Sequence, residues 1–177
     1  YIFLGTILYL ICGMNFFDAL NHSIAALSTG GFSTKVGNIY DFHSTSIELV
    51  SMILMLLGGT NFVIHILLLK RKFKSVILHS ETLFGFFLLI SFVSVAVTIM
   101  SLTGFETDNN LFMVVSFQLI SALTTTGFQN IADINILPHF FISRMIIFML
   151  IGGEMGSTAG GIKQYRIVTC FKGVSHY

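Results

Sequence analysis

The chain is 177 residues long, 54% hydrophobic and only 10% charged, with a mean hydropathy of +0.88 and a formal net charge of +1. With its 16 glycines counted, about 63% of it is apolar, against about 45–50% for a soluble domain. A soluble chain of this size cannot bury that much apolar surface, and a near-zero charge gives no basic footprint for nucleic acid. The composition excludes a cytosolic enzyme, a disulfide scaffold, a disordered chain and a nucleic-acid binder, and leaves a protein whose solvent is the lipid bilayer. Cys12 and Cys170 lie at opposite ends, without metal spacing, and read as small buried hydrophobes.

A helix needs about 20 apolar residues to cross about 30 Å of hydrocarbon. Residues 1–12 have no charged segment before them and read as the tail of a helix rather than a signal peptide. Residues 15–27 are helix-like but too short to cross, and Ser28-Thr29-Gly30-Gly31-Phe32 follows at once. Residues 44–69 are the first predicted span, and residues 78–102 the second. Residues 109–123 form a second short helix, followed by Thr124-Thr125-Thr126-Gly127-Phe128. Residues 138–169 are the third predicted span, interrupted by five glycines.

The order of short helix, glycine run and span occurs twice. A shift of 96 superposes Phe16 on Phe112, Ala26 on Ala122, Leu27 on Leu123, Thr29 on Thr125, Gly31 on Gly127 and Phe32 on Phe128. Downstream, Gly58-Gly59 answers Gly152-Gly153 at an offset of 94. Internal repeats of this kind are a habit of membrane transporters, because a pathway forms readily between them. Lys70, Arg71, Lys72 and Lys74 fill one link, and Lys163, Arg166 and Lys172 close the chain. The positive-inside rule assigns all seven to the cytoplasmic side, which turns the glycine runs outward with Asp41, Glu106, Asp108 and Asp133; Lys35 and Arg144 are the exceptions.

Non-helical backbone at membrane depth survives only if it is buried in protein or lines a wet cavity. The glycine runs therefore predict a lined pathway, and their chemistry suits a cation. Glycine lets carbonyl oxygens turn toward one axis, and rings of carbonyls replace the hydration shell of potassium. Each short helix enters from outside, so the partial negative charge of its C-terminal end faces the axis. The hydroxyls of Ser28, Thr29, Thr124, Thr125 and Thr126 add polarity without net charge. No cofactor is expected, and the potassium ion is the substrate.

Glycines at 152, 153, 156, 160 and 161 should unwind the last span, since each costs about 1 kcal/mol relative to alanine in a helix. A phosphate-binding loop is excluded here because Ile162 intervenes before Lys163, no Ser or Thr follows and no strand precedes. A nucleophile elbow is excluded because the row reads Gly156-Ser157-Thr158-Ala159-Gly160. Glu154, an acid inside an apolar stretch, is expected either to face the cavity and modulate cation passage or to be neutralised by loop amides. Asn61 and His65 lie four apart on one helix face and suit hydrogen bonds between helices. Asp18 and His22 repeat that spacing on the first short helix, where capping and pore-mouth roles both fit, and Arg144 is expected to snorkel outward.

Four motifs now carry a specific likeness: residues 28–34 (STGGFST), 58–65 (GGTNFVIH), 124–128 (TTTGF) and 152–163 (GGEMGSTAGGIK). On them the chain resembles the Trk/Ktr/HKT superfamily of potassium transporters, nearest its bacterial TrkH type. The resemblance implies an all-α integral membrane fold of helix–pore-loop–helix repeats, with re-entrant pore helices and a broken helix forming a gating loop. It makes Gly31 and Gly127 the filter glycines of the second and third of four repeats. Residues 1–74 are then the second repeat, with its first helix truncated, and residues 75–177 the third. The first and fourth repeats would lie in a longer protein. Ser28, Thr29, Gly30, Gly31 and Thr124, Thr125, Thr126, Gly127 would hold potassium through backbone carbonyls. Gly152, Gly153, Glu154, Gly156, Ser157, Thr158, Ala159, Gly160 and Gly161 would form the gating loop, with Glu154 where the family usually has a small residue. The resemblance further implies a homodimer in the bacterial inner membrane, multi-pass, with a cytosolic nucleotide-binding regulatory subunit. Sodium or mixed-cation transport is the alternative, and an intramembrane serine protease using Ser157 with His65 a distant one.

Overall fold

The computed structural model describes residues 1–72, 80–102 and 110–174; Lys74, Leu78, Glu106, Asp108 and Asn109 lie outside the described residues. The described residues are helix, turn and irregular backbone, without a strand among them. In chain order they form α1 (Ile2–Ile11), α2 (Phe16–Leu27), α3 (Thr45–Gly59), α4 (Phe62–Leu69), α5 (Ser80–Leu102), α6 (Leu111–Leu123), α7 (His139–Ile151) and α8 (Gln164–Val174). Short 3-10 turns at Asn38–Phe42 and Ile134–Ile136 lead into α3 and α7.

The two short helices start alike. Asn15 caps α2 by accepting from Asp18 N at 2.8 Å, and Asn110 caps α6 by accepting from Phe112 N at 3.0 Å. An Asn side chain there satisfies one of the orphan amides of a helix N-terminus. α1, α2 and α3 pack on one another, as do α5, α6 and α7. Each trio has its own core: Tyr9, Ala26, Leu54 and Met55 in the first, Leu89, Val115, Leu119, Phe141 and Phe148 in the second. The trios are joined where α3 meets α6, with Phe117 and Phe128 seated, fully buried, in the first core.

The predicted span over residues 44–69 is not one helix. It is α3 and α4, bent by 102° at Thr60-Asn61. Gly58-Gly59 weakens the helix, Thr60 is extended at φ −93° and ψ 155°, and Asn61 restarts the chain by accepting from Val63 N at 2.9 Å. Asn61 and His65 therefore do not share a face of a continuous helix: Asn61 caps α4, and His65 Nε2 lies 3.0 Å from Thr60 Oγ1 and 3.1 Å from Leu57 O. The stretch 138–169 does break at its glycines, into α7, irregular backbone at 152–163 and α8, which runs on to Val174. Among the described helices, only α5 is long and apolar enough to cross the bilayer alone.

Phe117 tests the join between the trios. In lipid an apolar side chain loses little on transfer, so removing it acts mainly through the cavity left behind. Phe117→Ala should lower stability by about 3 kcal/mol, the low end for Phe-to-Ala changes. Thermal unfolding in detergent measures this, and an unshifted transition contradicts the role given to Phe117.

Candidate functional site

The glycine runs leave α2 and α6 with matching backbone. Ser28 and Thr124 end their helices at φ −78° in both cases, with ψ −2° and −3°. Thr29 and Thr125 turn left-handed at φ 51° and 54°, and Gly31 and Gly127 follow at φ 70° and 89°. The amides match as well: Thr29 N reaches Ala26 O at 3.2 Å and Thr125 N reaches Ala122 O at 3.0 Å, while Gly30 N reaches Ala25 O at 2.8 Å and Thr126 N reaches Ser121 O at 2.9 Å. The equivalence at a shift of 96 thus extends from residue type to dihedral angle and hydrogen bond.

The two runs also meet. A methyl group added at Gly31 would collide with the carbonyl oxygen of Thr126, so only glycine allows this approach. Ser28, Gly30 and Gly127 are exposed, whereas the hydroxyls of Thr124 and Thr126 bond each other at 2.8 Å inside the protein. The C-terminal ends of α2 and α6 point at this meeting place, each with a partial negative charge of about half an electron.

The irregular segment 152–163 lies against the base of both runs. The single hydroxyl proton of Thr158 is shared between Leu27 O and Gly58 O, each 2.9 Å from its Oγ1, and Gly160 N donates to Thr125 Oγ1 at 2.6 Å. The segment leaves α7 through Gly152, at φ 71°, and returns so that Ile162 N and Lys163 N bond Leu150 O and Ile151 O at 2.9 and 3.0 Å. Its tip is fastened to the α3–α4 break: Thr158 N to Gly58 O and Glu154 N to Gly59 O, both at 3.1 Å, and Phe62 N to Gly156 O at 3.3 Å. Lys163 Nζ donates to Ala159 O within the loop. Glu154 is buried, its Oε2 accepts from Asn61 N at 2.9 Å, and it borders a cavity of about 30 Å³ with Thr60, Thr124 and Gln164.

Ser157 Oγ donates to Glu154 O at 2.6 Å, while His65 Nε2 is engaged by Thr60 and Leu57. Ser157 and His65 are thus committed to different partners and form no nucleophile–base pair. Arg144 lies over the Phe92 ring, 5.4 Å from its centroid.

Polar residues stand behind the runs: Asp18 and His22, which the sequence singled out, and Glu48, Gln118 and Asn130, which sequence reasoning missed. His22, fully buried, donates from Nδ1 to Asp18 O and meets Ser33 Oγ through Nε2, both at 2.8 Å. Asp18 caps nothing itself; its carboxylate accepts from Thr34 Oγ1 at 2.5 Å and Asn15 Nδ2 at 2.8 Å, with Lys35 Nζ at 3.8 Å. The Thr34 hydroxyl foremost, then Lys35 and Asn15, holds that carboxyl below its usual range against desolvation. In the other half, Gln118 Nε2 donates to Asn130 Oδ1 at 3.1 Å, and Asn130 Nδ2 donates to Glu48 Oε2 of α3 at 3.0 Å. The available signal was positional, since Gln118 stands 96 residues after His22.

Two glycine loops of one backbone form, meeting above a broken helix, find counterparts in known proteins. The TrkH family profile, described as a cation transport protein, matches residues 7–177. The Trk system potassium uptake protein TrkH of Halomonas elongata is 32% identical over 166 residues, covering 93% of this chain and 34% of that protein. The protein of the same description in Escherichia coli K12 is 33% identical over 163 residues, 90% of this chain and 33% of its own length. The crystal structure of the potassium transporter TrkH from Vibrio parahaemolyticus superposes with a TM-score of 0.83 at 27% identity, covering 99% of this chain and 38% of that one. The chain thus spans about a third of the length of these curated relatives. Its fold is all-α, its setting is a membrane and its lineage is one of transporters rather than enzymes. On the matched sequence and the matched fold together, the chain belongs to the TrkH family of cation transport proteins.

Proposed function

We propose that this chain supplies two adjacent quarters of a potassium uptake pathway, a multi-pass protein of a bacterial inner membrane. The observation that carries the reading is the meeting of Gly31 with the Thr126 carbonyl above a loop bonded to the base of both glycine runs. Potassium, the substrate, would shed its water against the carbonyls of residues 28–31 and 124–127, with the C-terminal ends of α2 and α6 favouring the cation. The loop at 152–161 would be the gate: with Thr158 and Gly160 bonded upward it lies under the filter, and conduction requires those bonds to part. The first and fourth repeats implied by the family would close the ring. The resemblance also supports a homodimer with a cytosolic nucleotide-binding regulatory subunit on the inner face, where Lys70, Arg71 and Lys72 are exposed. That these relatives are described as potassium uptake proteins favours potassium over sodium.

Expression of the complete protein containing this chain in a host lacking potassium uptake tests the reading. Growth at limiting potassium, with rubidium uptake that sodium barely inhibits, is the expected outcome; sodium uptake in its place would assign the pathway to the other cation. Gly31→Ala should reduce rubidium uptake at least about tenfold at unchanged protein level, because its methyl group displaces the Thr126 carbonyl.

The gate makes a separate prediction. Thr158→Ala removes the shared hydroxyl hydrogen bond that holds the loop under the filter, worth about 0.5–1.5 kcal/mol. Basal uptake should rise several-fold with the rubidium-to-sodium preference unchanged. A fall in uptake, or an altered preference, places Thr158 in the filter and not in the gate.

A further inference from the structure

The two glycine runs share a backbone but not a backing. Ser121 lies in the last turn of α6, 2% exposed, and its hydroxyl serves both sides of the filter glycine. Ser121 Oγ donates to Phe128 O at 2.8 Å and accepts from Gly127 N at 3.1 Å. A hydroxyl has one proton and two lone pairs, so both bonds form together. Ninety-six residues earlier the position is Ala25, which has only a methyl group. Among the described residues no side chain bonds to Gly31 N or Phe32 O. Phe128 is fully buried while Phe32 is 82% exposed.

Peptide planarity gives the Ser121 bond its consequence. In a trans peptide the N–H and the preceding C=O point in opposite directions. Fixing Gly127 N–H on Ser121, behind the loop, therefore turns the Thr126 carbonyl away from α6, toward Gly31 and the proposed ion path. Without that bond, the freedom of glycine lets the Thr126–Gly127 peptide rotate. Gln118, three residues earlier on α6, adds a second tie by bonding Asn130, which Glu48 of α3 holds in turn.

We propose that Ser121 is the positioning residue that sets cation discrimination in this part of the filter. It aims the Thr126 carbonyl, so the third-repeat loop keeps a fixed opening while the second-repeat loop, with Ala25 behind it, adapts. The smaller sodium ion needs carbonyls to close in, and the clamped loop resists this. The inference rests on reading these loops as a potassium filter.

The test uses the complete protein, with rubidium uptake measured against rising sodium for the wild type and for Ser121→Ala, Ser121→Cys and Ser121→Thr. The alanine variant should lose about tenfold in rubidium-over-sodium preference, equivalent to one or two hydrogen bonds. Cysteine, close in shape but a weak donor and acceptor, should fall between alanine and serine, and threonine, which keeps the hydroxyl, should retain the preference. Thermal unfolding in detergent separates lost discrimination from lost fold, and the cysteine variant carries the test if alanine does not fold. An unchanged preference in the alanine and cysteine variants overturns the proposal. A wild type that transports without any such preference overturns the filter reading, and the Ser121 role with it.

Discussion

Two stretches of non-helical backbone inside an apolar protein must satisfy each other. An unbonded amide or carbonyl at membrane depth costs several kcal/mol, and water is not there to take its place. The break at Gly58–Asn61 and the loop at 152–163 meet this constraint jointly. Gly58 O accepts from the amide and hydroxyl of Thr158, and Gly59 O accepts from Glu154 N. In return Asn61 N finds the Glu154 carboxylate and Phe62 N finds Gly156 O. Neither irregular stretch is tenable without the other, so α3, α4, α7 and α8 hold their positions as a set. The same reasoning accounts for Glu154: its carboxylate, an expensive group in lipid, replaces a missing helical acceptor at the start of α4.

The position of α3 follows from its glycines. A side chain at Gly58 would strike Leu27 O, and one at Gly59 would strike the Thr124 side chain. The helix can therefore pass close to the ends of both α2 and α6, and it brings the two glycine runs onto one axis. Glu48, about ten residues or roughly 15 Å higher on α3, holds Asn130 beyond the third-repeat loop. On the proposed reading, one helix thus carries a filter support near one end and the gate's docking site at the other.

Much of this was legible in the sequence, and for physical reasons. The short helices were marked by apolar runs too brief to cross, the matched loops by identities at a shift of 96, and the break at residues 152–161 by five glycines in ten positions. The bend at Thr60-Asn61 was missed because hydropathy averages over a window and residues 44–69 remain apolar throughout. The sign was nevertheless present: Gly58-Gly59 followed by an Asn is a helix stop followed by a cap, and it aligns with Gly152-Gly153. The Glu48–Asn130–Gln118 chain was not legible. Its Glu48–Asn130 bond joins residues 82 apart in sequence, and a polar residue in an apolar run does not name its partner. Ser121 lies between these cases, since its contrast with Ala25 was visible but its target was a backbone amide.

On the proposed reading, the bend also divides labour between filter and gate. α3 has 15 residues and α7 has 13, about 22 and 20 Å long, so neither crosses about 30 Å of hydrocarbon. Each gives way to irregular backbone where the loop at 152–163 meets the α3–α4 break, and α4 leaves that break at 102° to α3. The outer halves are cross-tied by packing, by Ser121 and by the Asn130 chain, which on the proposed reading must stay fixed for carbonyls to discriminate between ions. The inner segments are held to them by a handful of main-chain bonds through the loop. Those bonds can be exchanged for water once the cavity is wet, whereas the packed outer half has no such alternative. The proposed pathway can thus open at the loop while the filter keeps its shape.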